Sequence, residues 1–418
     1  MKTVILAGGK GTRIASITSE IPKALIPVNG MPVLEYQVIM ARDQGFREFI
    51  FIIGHLGSKI REYFGSGEKW GVSIEYFEER VPLGTAGALA YLKDKLDDDF
   101  FVFYGDTVMD IDMRNMLAFH REHHSDATLL LHPNDHPYDS DLVDIADDCR
   151  VVKFLHKPHP EGLVARNIVN AALFLLSPGI LAEIPMGKKL HLEKDILAPA
   201  VDGGYRVTGY LSAEYIKDMG TPCRYEQVCE DMVSGRVKRM NRCNARPAIF
   251  LDRDGVVTEE VNLLCDEDKL RLISGVADAI RLINRSGYLA ILVTNQPVIA
   301  RNLCSIEELE HIHALLETLL GKEGAYLNAI YYCPHHPDKG YPEERPEYKI
   351  ECDCRKPKPG MLLRAAKDWN IDLSRSVMIG DRDSDVLAGR NAGCCESILI
   401  NTNEPEALLK AVKHIFES

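Results

Sequence analysis

Short apolar runs alternate with helix-like patterns in two separate stretches of the chain. In the first stretch, the strand-like runs are 3–7, 48–53, 72–77 and 100–104, and the helix-like patterns are 32–44 and 85–96. In the second stretch, the strand-like runs are 248–251, 289–293 and 377–379, and the helix-like patterns are 276–285 and a long one from Ser305. Strands that alternate with helices form mostly parallel sheets. The pattern therefore predicts two doubly wound, Rossmann-like α/β domains.

The length and composition of the chain agree with two domains. A chain of 418 residues exceeds the usual size of one core, and 46% hydrophobic with 27% charged residues is ordinary for a globular protein. The basic, poorly patterned segment 237–246 separates the two stretches, and we place the boundary near Asn244. We therefore predict a first domain at 1–236, a linker at 237–246 and a second domain at 247–418. No internal repeat is visible, so the two domains are different modules.

Net charge and hydropathy narrow the classes of partner, and cysteine content bears on the cellular compartment. The formal net charge of -13 argues against a nucleic-acid partner, because binding a phosphate backbone needs a broad basic face. No apolar run approaches membrane-spanning length, and the run 3–7 is too short for the core of a signal peptide. We predict a cytoplasmic protein without a membrane partner, in which the 11 Cys residues stay reduced. The sequence leaves open whether the chain forms a homo-oligomer.

A glycine-rich segment follows the first strand-like run. In Leu6-Ala-Gly-Gly-Lys-Gly-Thr-Arg13, bare backbone amides can wrap a triphosphate and Arg13 adds a fixed positive charge. Five further motifs follow in order: Glu20-Ile-Pro-Lys23, Pro82-Leu-Gly-Thr85, Tyr104-Gly-Asp106, Lys157-Pro158 and Asp218-Met-Gly-Thr-Pro222. This ordered set resembles the sugar-nucleotidyltransferase family, which joins a nucleoside triphosphate to a sugar 1-phosphate and releases pyrophosphate.

The resemblance implies roles for the matching residues of the first domain. Asp106 and Asp218 would hold a Mg²⁺ that bridges both substrates. Arg13 and Lys23 would be catalytic cations that neutralise the triphosphate, so that two anionic reactants can meet without a protein nucleophile. The nucleotide-binding residues would be Leu6, Ala7, Gly8, Gly9, Gly11, Thr12, Glu79, Gly84 and Thr85.

The sugar side of this site would use different residues. The resemblance implies that Lys157 binds the phosphate of the sugar and that Asn170 also binds substrate. The chain departs from the family pattern beside this lysine, because His156 stands where many relatives have Glu. An acidic neighbour of the sugar site is therefore missing from this position or lies elsewhere.

Glu79 bears on the choice of nucleobase. Relative to Pro82, it occupies the position from which the family often contacts the base, and a carboxylate only accepts hydrogen bonds. Guanine offers two adjacent donors, whereas uracil and thymine offer one. GTP is therefore our preferred nucleotide, with a charged strand end at Glu78 and Glu79 as the plain structural alternative.

An acidic motif follows the first strand-like run of the second domain. Asp252-Arg-Asp254-Gly comes directly after 248–251, and Thr294-Asn295, Lys356 and Gly380-Asp381 follow in order. This set resembles the haloacid-dehalogenase phosphatase superfamily. The resemblance implies that Asp252 attacks phosphorus to give a phospho-aspartyl intermediate, and that Asp254 protonates the leaving alcohol and later activates water.

The same resemblance implies a metal and further substrate contacts. Asp252, the backbone carbonyl of Asp254 and Asp381 would hold Mg²⁺, which offsets the repulsion between carboxylate and phosphate. The stretch after Asp254 is too short for a large cap, so we expect a minimal cap. The substrate-binding residues would be Thr294, Asn295, Arg301, Arg355 and Lys356.

Three cysteines and one histidine flank a polar loop in this domain. Cys333-Pro-His335 and Cys352-Asp-Cys354 have the composition of a closed tetrahedral Zn²⁺ site. Reduced core cysteines fit less well, because the segment between the two pairs has no apolar period. We therefore predict a structural zinc loop whose far end leads to the catalytic pocket.

The loop and the run after it indicate a subfamily. Cys354-Arg-Lys-Pro-Lys-Pro-Gly-Met361 looks like the D-glycero-D-manno-heptose 1,7-bisphosphate 7-phosphatase group, whose sibling is the zinc-containing histidinol-phosphate phosphatase. The chain departs from this group at Pro297-Val298, where relatives commonly have Ser-Gly. Removal of the 7-phosphate would give heptose 1-phosphate, an acceptor for the first domain. Our hypothesis is a bifunctional enzyme of nucleotide-activated heptose biosynthesis that uses GTP.

Three alternatives remain open from the sequence. Both activities could act on another sugar phosphate with UTP, CTP or ATP. A nucleotidyltransferase could be fused to a histidinol-phosphate-type phosphatase. One domain could also have lost its chemistry and serve as a regulatory or assembly module.

Overall fold

The computed structural model describes residues 1–9, 20–338 and 344–417. The chain divides into two compact units. The first unit consists of Met1–Leu131, Val143–His156 and Asn170–Arg242, and the second unit consists of His132–Leu142, Lys157–Val169 and Cys243–Ser418. The predicted glycine-loop residues Gly11, Thr12 and Arg13 lie outside the described residues.

The strands up to Asp218 belong mainly to one large sheet. In chain order they are β1 (Lys2–Ala7), β2 (Pro27–Val28), β3 (Met31–Pro32), β4 (Glu48–Ile53), β5 (Ser73–Glu78), β6 (Phe100–Tyr104), β7 (Thr107–Asp110), β8 (Ala127–His132), β9 (Leu142–Ile145), β10 (Val151–Leu155), β11 (Val169–Leu176), β12 (Val207–Leu211) and β13 (Tyr215–Asp218). The main path of the large sheet is β10-β9-β11-β6-β1-β4-β5, and β8 joins it beside β11 and pairs with β12. The strands β6, β1, β4 and β5 run parallel, whereas β11 is antiparallel to β6. The prediction of a mostly parallel sheet is thus confirmed for its centre.

Helices of this part of the chain lie between the strands. They are α1 (Val33–Asp43), α2 (Gly57–Phe64), α3 (Met113–Glu122), α4 (Ala198–Asp202), α5 (Pro222–Val233) and α6 (Arg236–Arg239). Shorter 3-10 turns are Lys23–Leu25, Glu68–Trp70, Leu89–Lys95, Pro137–Asp139 and Pro178–Glu183, and Leu192–Leu197 is a π-helix.

The helix predicted over 85–96 is wrong in type and extent. The structure has a loop followed by the 3-10 helix Leu89–Lys95. The loop is tied to a neighbouring segment, because the Ala86 amide donates to the Leu190 carbonyl at 3.0 Å and the Leu190 amide donates to the Leu83 carbonyl at 2.9 Å. These tertiary hydrogen bonds override the local helical pattern.

The second unit contains a five-stranded parallel sheet. Its strands are β14 (Ala248–Leu251), β15 (Leu289–Asn295), β16 (Ala329–Cys333), β17 (Val377–Gly380) and β18 (Glu396–Leu399), in the order β16-β15-β14-β17-β18. Its helices are α7 (Val276–Arg285), α8 (Ile306–Lys322), α9 (Gly360–Trp369), α10 (Asp383–Ala392) and α11 (Ala407–Glu417). Short 3-10 turns are Glu267–Lys269, Pro346–Tyr348 and Leu373–Arg375. The predicted two-domain α/β fold class is confirmed.

Local signals explain where the longest helix begins. The Ser305 hydroxyl accepts from the Glu308 amide at 3.1 Å, and the Glu308 carboxylate accepts from the Ser305 amide at 2.7 Å. This capping box satisfies two amides that have no partner inside the helix. It fixes the start of α8 at the position that the sequence pattern predicts.

Each unit has its own apolar core. In the first unit, Phe51 packs edge-on against Phe64 with ring centres 5.4 Å apart. In the second unit, Ile249, Leu292 and Leu316 belong to a separate cluster of fully buried side chains. Among the described residues, no helix combines the length and the hydropathy that crossing a bilayer requires.

Candidate active sites

The first candidate site is a cleft at the carboxyl ends of the parallel strands β1 and β6. The register pairs Leu6 with Tyr104, so the residues after these strands emerge side by side. The cleft has a volume of about 280 Å³. The predicted residues that line it are Leu6, Ala7, Gly8, Gly9, Lys23, Glu79, Gly84, Thr85 and Asp106. The fold therefore brings nine of the predicted positions together.

Gly8 and Glu79 approach each other at the floor of this cleft. A Cβ atom added to Gly8 would lie 2.6 Å from Glu79 Oε2, closer than real side chains approach. Glu79 Oε1 accepts a hydrogen bond from the Leu83 amide at 3.0 Å. Burial raises the pKa of the Glu79 carboxyl, and the bond from Leu83 opposes this rise. The absence of a side chain at position 8 lets this acceptor lie beside the glycine backbone.

The loop that carries Gly84 and Thr85 is held by backbone contacts. Gly84 has a φ of +76°, and an added Cβ would lie 2.2 Å from the Leu190 carbonyl oxygen. The Thr85 hydroxyl accepts from the Leu192 amide at 2.8 Å. Glycine is therefore required at position 84 for the loop to close against the segment at 190–192.

Two acidic residues lie where β6 and β13 meet β7. Asp106 forms an ion pair with the Lys23 ammonium, and the Met219 amide donates to the Asp106 carbonyl at 3.1 Å. The register pairs Asp218 with Thr107, directly next to Asp106 along the chain. The Asp218 carboxylate accepts a hydrogen bond from Arg224 Nη1 at 2.6 Å. Sequence reasoning missed Arg224, although its place in the first turn of α5 after the Asp218 motif is a usable signal.

The sugar-side residues predicted from the sequence lie in two places. Asn170 in β11 contacts Glu193 Oε1 at 3.5 Å, and the same oxygen accepts from the Tyr104 hydroxyl at 2.9 Å. Lys157 lies in the second unit and its ammonium donates to the Asp139 carbonyl at 2.8 Å. Lys157 is absent from the lining of the first cleft, as far as the described residues define it. Glu193 was missed because no predicted motif includes it.

The second candidate site lies at the carboxyl edge of the five-stranded sheet. Leu251 pairs with Leu292 on one side and with Ile379 on the other. Asp252 after β14, Thr294 near the end of β15 and Asp381 after β17 therefore lie at the same edge. This edge is where open parallel sheets bind ligands. A cavity of about 230 Å³ opens here. The predicted residues that line it are Asp252, Asp254, Thr294, Asn295, Arg355 and Lys356.

Lys356 is buried between two carboxylates. Its ammonium lies 2.8 Å from Asp252 Oδ1 and 2.7 Å from Asp385 Oδ1, and it donates to the Val293 carbonyl at 2.8 Å. Burial by itself lowers the pKa of Lys356, but the charges of Asp252 and Asp385 raise it above its usual value overall. The lysine therefore stays cationic next to Asp252.

Asp252 is the carboxylate most affected by its surroundings. Burial, together with the charges of Asp385 and Asp254, raises the pKa of Asp252 to about 6, although Lys356 pulls it down. Perturbed acids of this kind occur preferentially at functional sites. Asp252 thus has the position and the environment of a reactive carboxylate.

Asp381 provides a test of the predicted magnesium site. Carboxylate oxygens of Asp252, Asp381 and Asp385 all lie within 4.8 Å of one another. Asp381 Oδ1 is buried and finds no hydrogen-bond partner among the described residues. A Cβ on Gly255 would lie 2.6 Å from Asp381 Oδ2, so this glycine leaves room for the carboxylate. These residues fit a hard divalent cation, which prefers carboxylate oxygens.

The other predicted phosphatase residues have different surroundings. Asn295 holds the backbone of Lys356, since its side chain accepts from the Lys356 amide at 3.0 Å and donates to the Lys356 carbonyl at 3.1 Å. Arg355 Nη1 donates to the His335 carbonyl at 3.1 Å. Arg301 is not among the residues that line the cavity in the described part of the chain.

The four predicted zinc ligands converge. All four ligand atoms lie within 4.8 Å of one another, and Cys354 Sγ is 3.2 Å from the sulfur atoms of Cys333 and Cys352 and 3.3 Å from His335 Nδ1. The hydrogen bond with Cys333, with smaller help from Cys352 and His335, lowers the pKa of the Cys354 thiol to about 5. A thiolate, two further cysteine sulfur atoms and an imidazole nitrogen fit Zn²⁺.

Two residues next to Asp254 were not predicted as site residues. Arg253 and Gln296 both donate to the Asp254 carboxylate. Both lie inside quoted motifs, between Asp252 and Asp254 and directly after Asn295. Their buried positions, rather than their residue types, reveal their roles.

These two sites define a protein with a nucleotidyltransferase fold and a phosphatase fold in one chain. Residues 2–234 match the family model described as Nucleotidyl transferase, and residues 353–416 match the HAD-hydrolase-like model. The first match covers more than half of the chain, so the chain belongs to the nucleotidyl transferase family. The predicted resemblance to both families is confirmed.

Individual relatives match the two parts separately. A D-glycero-β-D-manno-heptose-1,7-bisphosphate 7-phosphatase from Vibrio cholerae is 44% identical over 161 residues, 38% of this chain and 84% of that relative. A mannose-1-phosphate guanylyltransferase from Mycobacterium tuberculosis is 32% identical over 234 residues, 56% of this chain and 64% of that relative. The crystal structure of HddC from Yersinia pseudotuberculosis is 27% identical with a TM-score of 0.48, covering 55% of this chain and 99% of that one.

Proposed function

We propose that this chain is a bifunctional enzyme of nucleotide-activated heptose biosynthesis. The phosphatase part hydrolyses the 7-phosphate of D-glycero-D-manno-heptose 1,7-bisphosphate, and the transferase part joins the resulting heptose 1-phosphate to a nucleotide from GTP. The product of the first reaction is the acceptor of the second. A relative named as a phosphatase of this bisphosphate and a relative named as a guanylyltransferase of another sugar 1-phosphate, mannose 1-phosphate, support the pairing.

One observation carries the proposal. Each unit has a separate cavity at the carboxyl ends of parallel strands, and each cavity contains a lysine paired with an aspartate, Lys23 with Asp106 and Lys356 with Asp252. Paired cations and carboxylates suit reactions between anionic phosphate groups. Two such sites imply two phosphate reactions.

The phosphatase reaction has two half-reactions. In the first, a carboxylate oxygen of Asp252 bonds to phosphorus, the bond from phosphorus to the sugar oxygen breaks, and Asp254 gives a proton to that oxygen. In the second, Asp254 takes a proton from water, the water oxygen bonds to phosphorus, and the phospho-aspartyl bond breaks. Inorganic phosphate leaves and both aspartates return to their starting states. Lys356 keeps a positive charge beside the attacking oxygen.

The transferase reaction needs no protein nucleophile. An oxygen of the sugar phosphate bonds to the α-phosphorus of the triphosphate, and the bond to the β-phosphate oxygen breaks to release pyrophosphate. Lys23 and Arg13 offset the charge of the triphosphate, and Asn170 binds the acceptor. Glu79 accepts hydrogen bonds from the two donors of guanine, which favours GTP.

The cofactors and location belong to the same proposal. Mg²⁺ would be held by Asp106 and Asp218 in the first site, and by Asp252, the Asp254 carbonyl and Asp381 in the second, where it supplies charge neutralisation. Zn²⁺ would be held by Cys333, His335, Cys352 and Cys354 and would stabilise the loop. We further propose that the protein acts in the cytoplasm, where sugar phosphates and nucleoside triphosphates are present.

Two variants test the assignment of the two sites. We expect Asp252→Asn to abolish phosphate release from the bisphosphate while sparing nucleotidyl transfer to supplied heptose 1-phosphate. We expect Asp106→Asn to do the reverse. Products are measured by mass spectrometry with Mg²⁺ and each of GTP, UTP, CTP and ATP. Loss of both activities in either folded variant would contradict separate sites, and a preference for another nucleotide would contradict the role of Glu79.

A further inference from the structure

Arg253 is the largest completely buried side chain of the described residues, and it lies between Asp252 and Asp254 in the sequence. Its Nε donates to Asp254 Oδ1 at 3.0 Å, and its Nη2 donates to Asp254 Oδ2 at 3.0 Å. A two-pronged contact of this kind fixes the plane of a carboxylate as well as its position. The guanidinium therefore determines where both oxygen atoms of Asp254 lie.

The remaining side of the Arg253 guanidinium faces helix α8. Its Nη1 lies 3.4 Å from Nε2 of His313, a buried side chain on that helix. Burial, and then the charges of Arg253 and Arg166, lower the pKa of His313 well below its usual value. A neutral imidazole with its proton on Nδ1 presents Nε2 as an acceptor, so the ring supports the guanidinium without repelling it.

Two uncharged donors complete the surroundings of Asp254. Gln296 Nε2 donates to Oδ2 at 3.0 Å, and the Thr258 hydroxyl donates to Oδ1 at 3.4 Å. Gln296 is itself nearly fully buried. The carboxylate is thus held by three buried side chains, and a fixed position is what a proton-transfer group requires.

A completely buried guanidinium is difficult to explain by stability alone. Removing an ion from water costs several kcal/mol, and well-packed apolar side chains often replace buried ion pairs without loss of stability. The cost of Arg253 to folding is most simply explained by what this side chain does to Asp254 beside the reacting phosphate.

We propose that Arg253 is a positioning residue for Asp254, and that His313 is the buried support that keeps Arg253 in place. The proposal rests on the phosphatase function proposed above, and assigns a role to two residues outside that mechanism. Neither side chain is required to touch the substrate. Arg253 acts through the carboxylate that exchanges the proton, and His313 acts through Arg253.

The proposal has a consequence that a purely structural role does not have. Asp254 gives its proton to the departing sugar oxygen, and a sugar alkoxide is a poor leaving group without that proton. The p-nitrophenolate ion leaves readily without a proton. Misplacing Asp254 should therefore slow phosphoryl transfer from a sugar phosphate much more than transfer from p-nitrophenyl phosphate.

The experiment compares three variants of the full-length protein. His313→Leu removes the acceptor, His313→Gln retains a side chain that can accept from Arg253, and Arg253→Lys keeps the charge but loses the two-pronged contact. His311→Leu is the matched control, because His311 lies two residues away on α8 with a half-exposed side chain. Rapid-quench measurements give the rate of the first phosphoryl transfer from heptose 1,7-bisphosphate and from p-nitrophenyl phosphate.

The expected result is a leaving-group-dependent loss. His313→Leu and Arg253→Lys should slow transfer from the sugar phosphate by about tenfold or more, with less than about a twofold effect on p-nitrophenyl phosphate. KM should stay unchanged, His313→Gln should recover most of the rate, and His311→Leu should match the wild type. An equal loss on both substrates, or no loss in folded His313→Leu and Arg253→Lys, would overturn the proposal.

Three further outcomes have stated consequences. Folding of each variant is judged by its melting temperature and by whether it retains nucleotidyl transfer. If His313→Leu fails to fold, Arg253→Lys and His313→Gln test the positioning role on the same two substrates. If the wild type hydrolyses neither substrate, the phosphatase function is wrong and this proposal falls with it. If the wild type is active and the variants show no leaving-group dependence, only the positioning role is wrong.

Discussion

At the scale of single residues, the shape of both clefts depends on glycines that leave room for carboxylates, as well as on charged side chains. Gly8 allows Glu79 to lie against the glycine backbone, and Gly255 allows Asp381 to approach the acidic cluster. In each case an added methyl group would lie about 2.6 Å from a carboxylate oxygen. Both glycines therefore serve the placement of an acid.

We predict that Gly8→Ala impairs nucleotide binding while leaving the phosphatase unaffected. The new Cβ would displace the Glu79 carboxylate, so KM for GTP should rise by about tenfold, the size of effect expected from losing one charged hydrogen-bond partner. Steady-state kinetics of pyrophosphate release measure this change. Gly179→Ala is the control, because no heavy atom lies within 4 Å of the added Cβ there. An unchanged KM in Gly8→Ala would contradict the role of Glu79.

Asp252 gives a prediction about stability and pH. Folding raises its pKa from 3.8 to about 6, so the folded state binds this proton more tightly than the unfolded state. The resulting stabilisation is fully present below about pH 4 and is lost as the pH rises through about 6. Asp252→Asn, which mimics the protonated form, should therefore raise the free energy of unfolding at pH 7.5 by about 1–3 kcal/mol in Mg²⁺-free buffer.

Calorimetry at several pH values checks this prediction. The difference between Asp252→Asn and the wild type should shrink towards pH 4, where the wild-type carboxyl is protonated in both states. Saturating Mg²⁺ should also reduce it, because a cation that binds the native carboxylates stabilises the wild type. A variant that is less stable than the wild type at pH 7.5 without Mg²⁺ would refute the prediction.

The sequence predicted many of these residues, for a physical reason. Asp106 lies just after an apolar strand of the first sheet, and Asp252, Thr294 and Asp381 lie at or just after the ends of apolar strands of the second sheet. The chain order alone therefore places each of them at the carboxyl edge of its own sheet. Arg224 could not be ranked in this way. It lies in the first turn of α5, six residues after Asp218, and just beyond the motif that ends at Pro222.

At the scale of elements, the segment from Cys333 to Cys354 has little apolar content of its own. Three sulfur atoms and one nitrogen atom converge where its two ends meet. The buried Lys349 ammonium also pairs with the Glu344 carboxylate at 2.5 Å, which ties part of the segment internally. The segment leads into Lys356, so its order affects the phosphatase cavity.

We predict that the segment binds one Zn²⁺ per chain and that Cys354→Ser removes it. Loss of a structural metal unfolds the segment that depends on it. Phosphate release should fall by about tenfold or more, as expected when a catalytic group loses its fixed position, while nucleotidyl transfer stays unchanged. Elemental analysis and the two activity assays measure these effects. Cys395→Ser, at an exposed cysteine of the same unit, should keep both the metal and the activity. Full phosphatase activity in a zinc-free protein would exclude this role.

The elements also show where sequence patterns are sufficient. The strands 48–53, 100–104 and 248–251 were predicted at the bounds that the structure has, because buried parallel strands are continuous apolar runs. The loop at Gly84 was not predicted, because its conformation depends on hydrogen bonds with Leu190, which is distant in the sequence. Local patterns do not contain such contacts.

At the scale of the whole molecule, each unit has its own cavity with a lysine paired to an aspartate. The first cavity is lined only by first-unit residues and the second only by second-unit residues, within the described chain. The predicted boundary near Asn244 stays a prediction, since the compact units are not continuous in sequence.

We predict that two variants, each lacking one of the two activities, complement each other in solution. Asp252→Asn keeps the transferase and Asp106→Asn keeps the phosphatase, so an equimolar mixture should convert heptose 1,7-bisphosphate and GTP to the nucleotide sugar. The rate should be within about twofold of that of a wild-type sample with the same number of intact sites, because each cavity is lined by residues of its own unit and the two sites should act independently. Mass spectrometry of the product over time measures the rate. No product from the mixture would show that the intermediate must stay on one chain.

The discontinuous second unit has a consequence for dividing the gene. Thr318 in α8 exchanges two hydrogen bonds with the backbone of Ala165, at 3.2 and 3.1 Å, and Arg166 pairs with the buried Glu317. These partners are about 150 positions apart in the sequence but belong to one compact body. A truncated chain that starts after Asn244 would therefore lack part of the second unit. It would also expose the carboxylate of Glu317, which is buried in the intact chain. A phosphatase unit moved into another protein would therefore have to include His132–Leu142 and Lys157–Val169, which lie within the transferase part of the sequence.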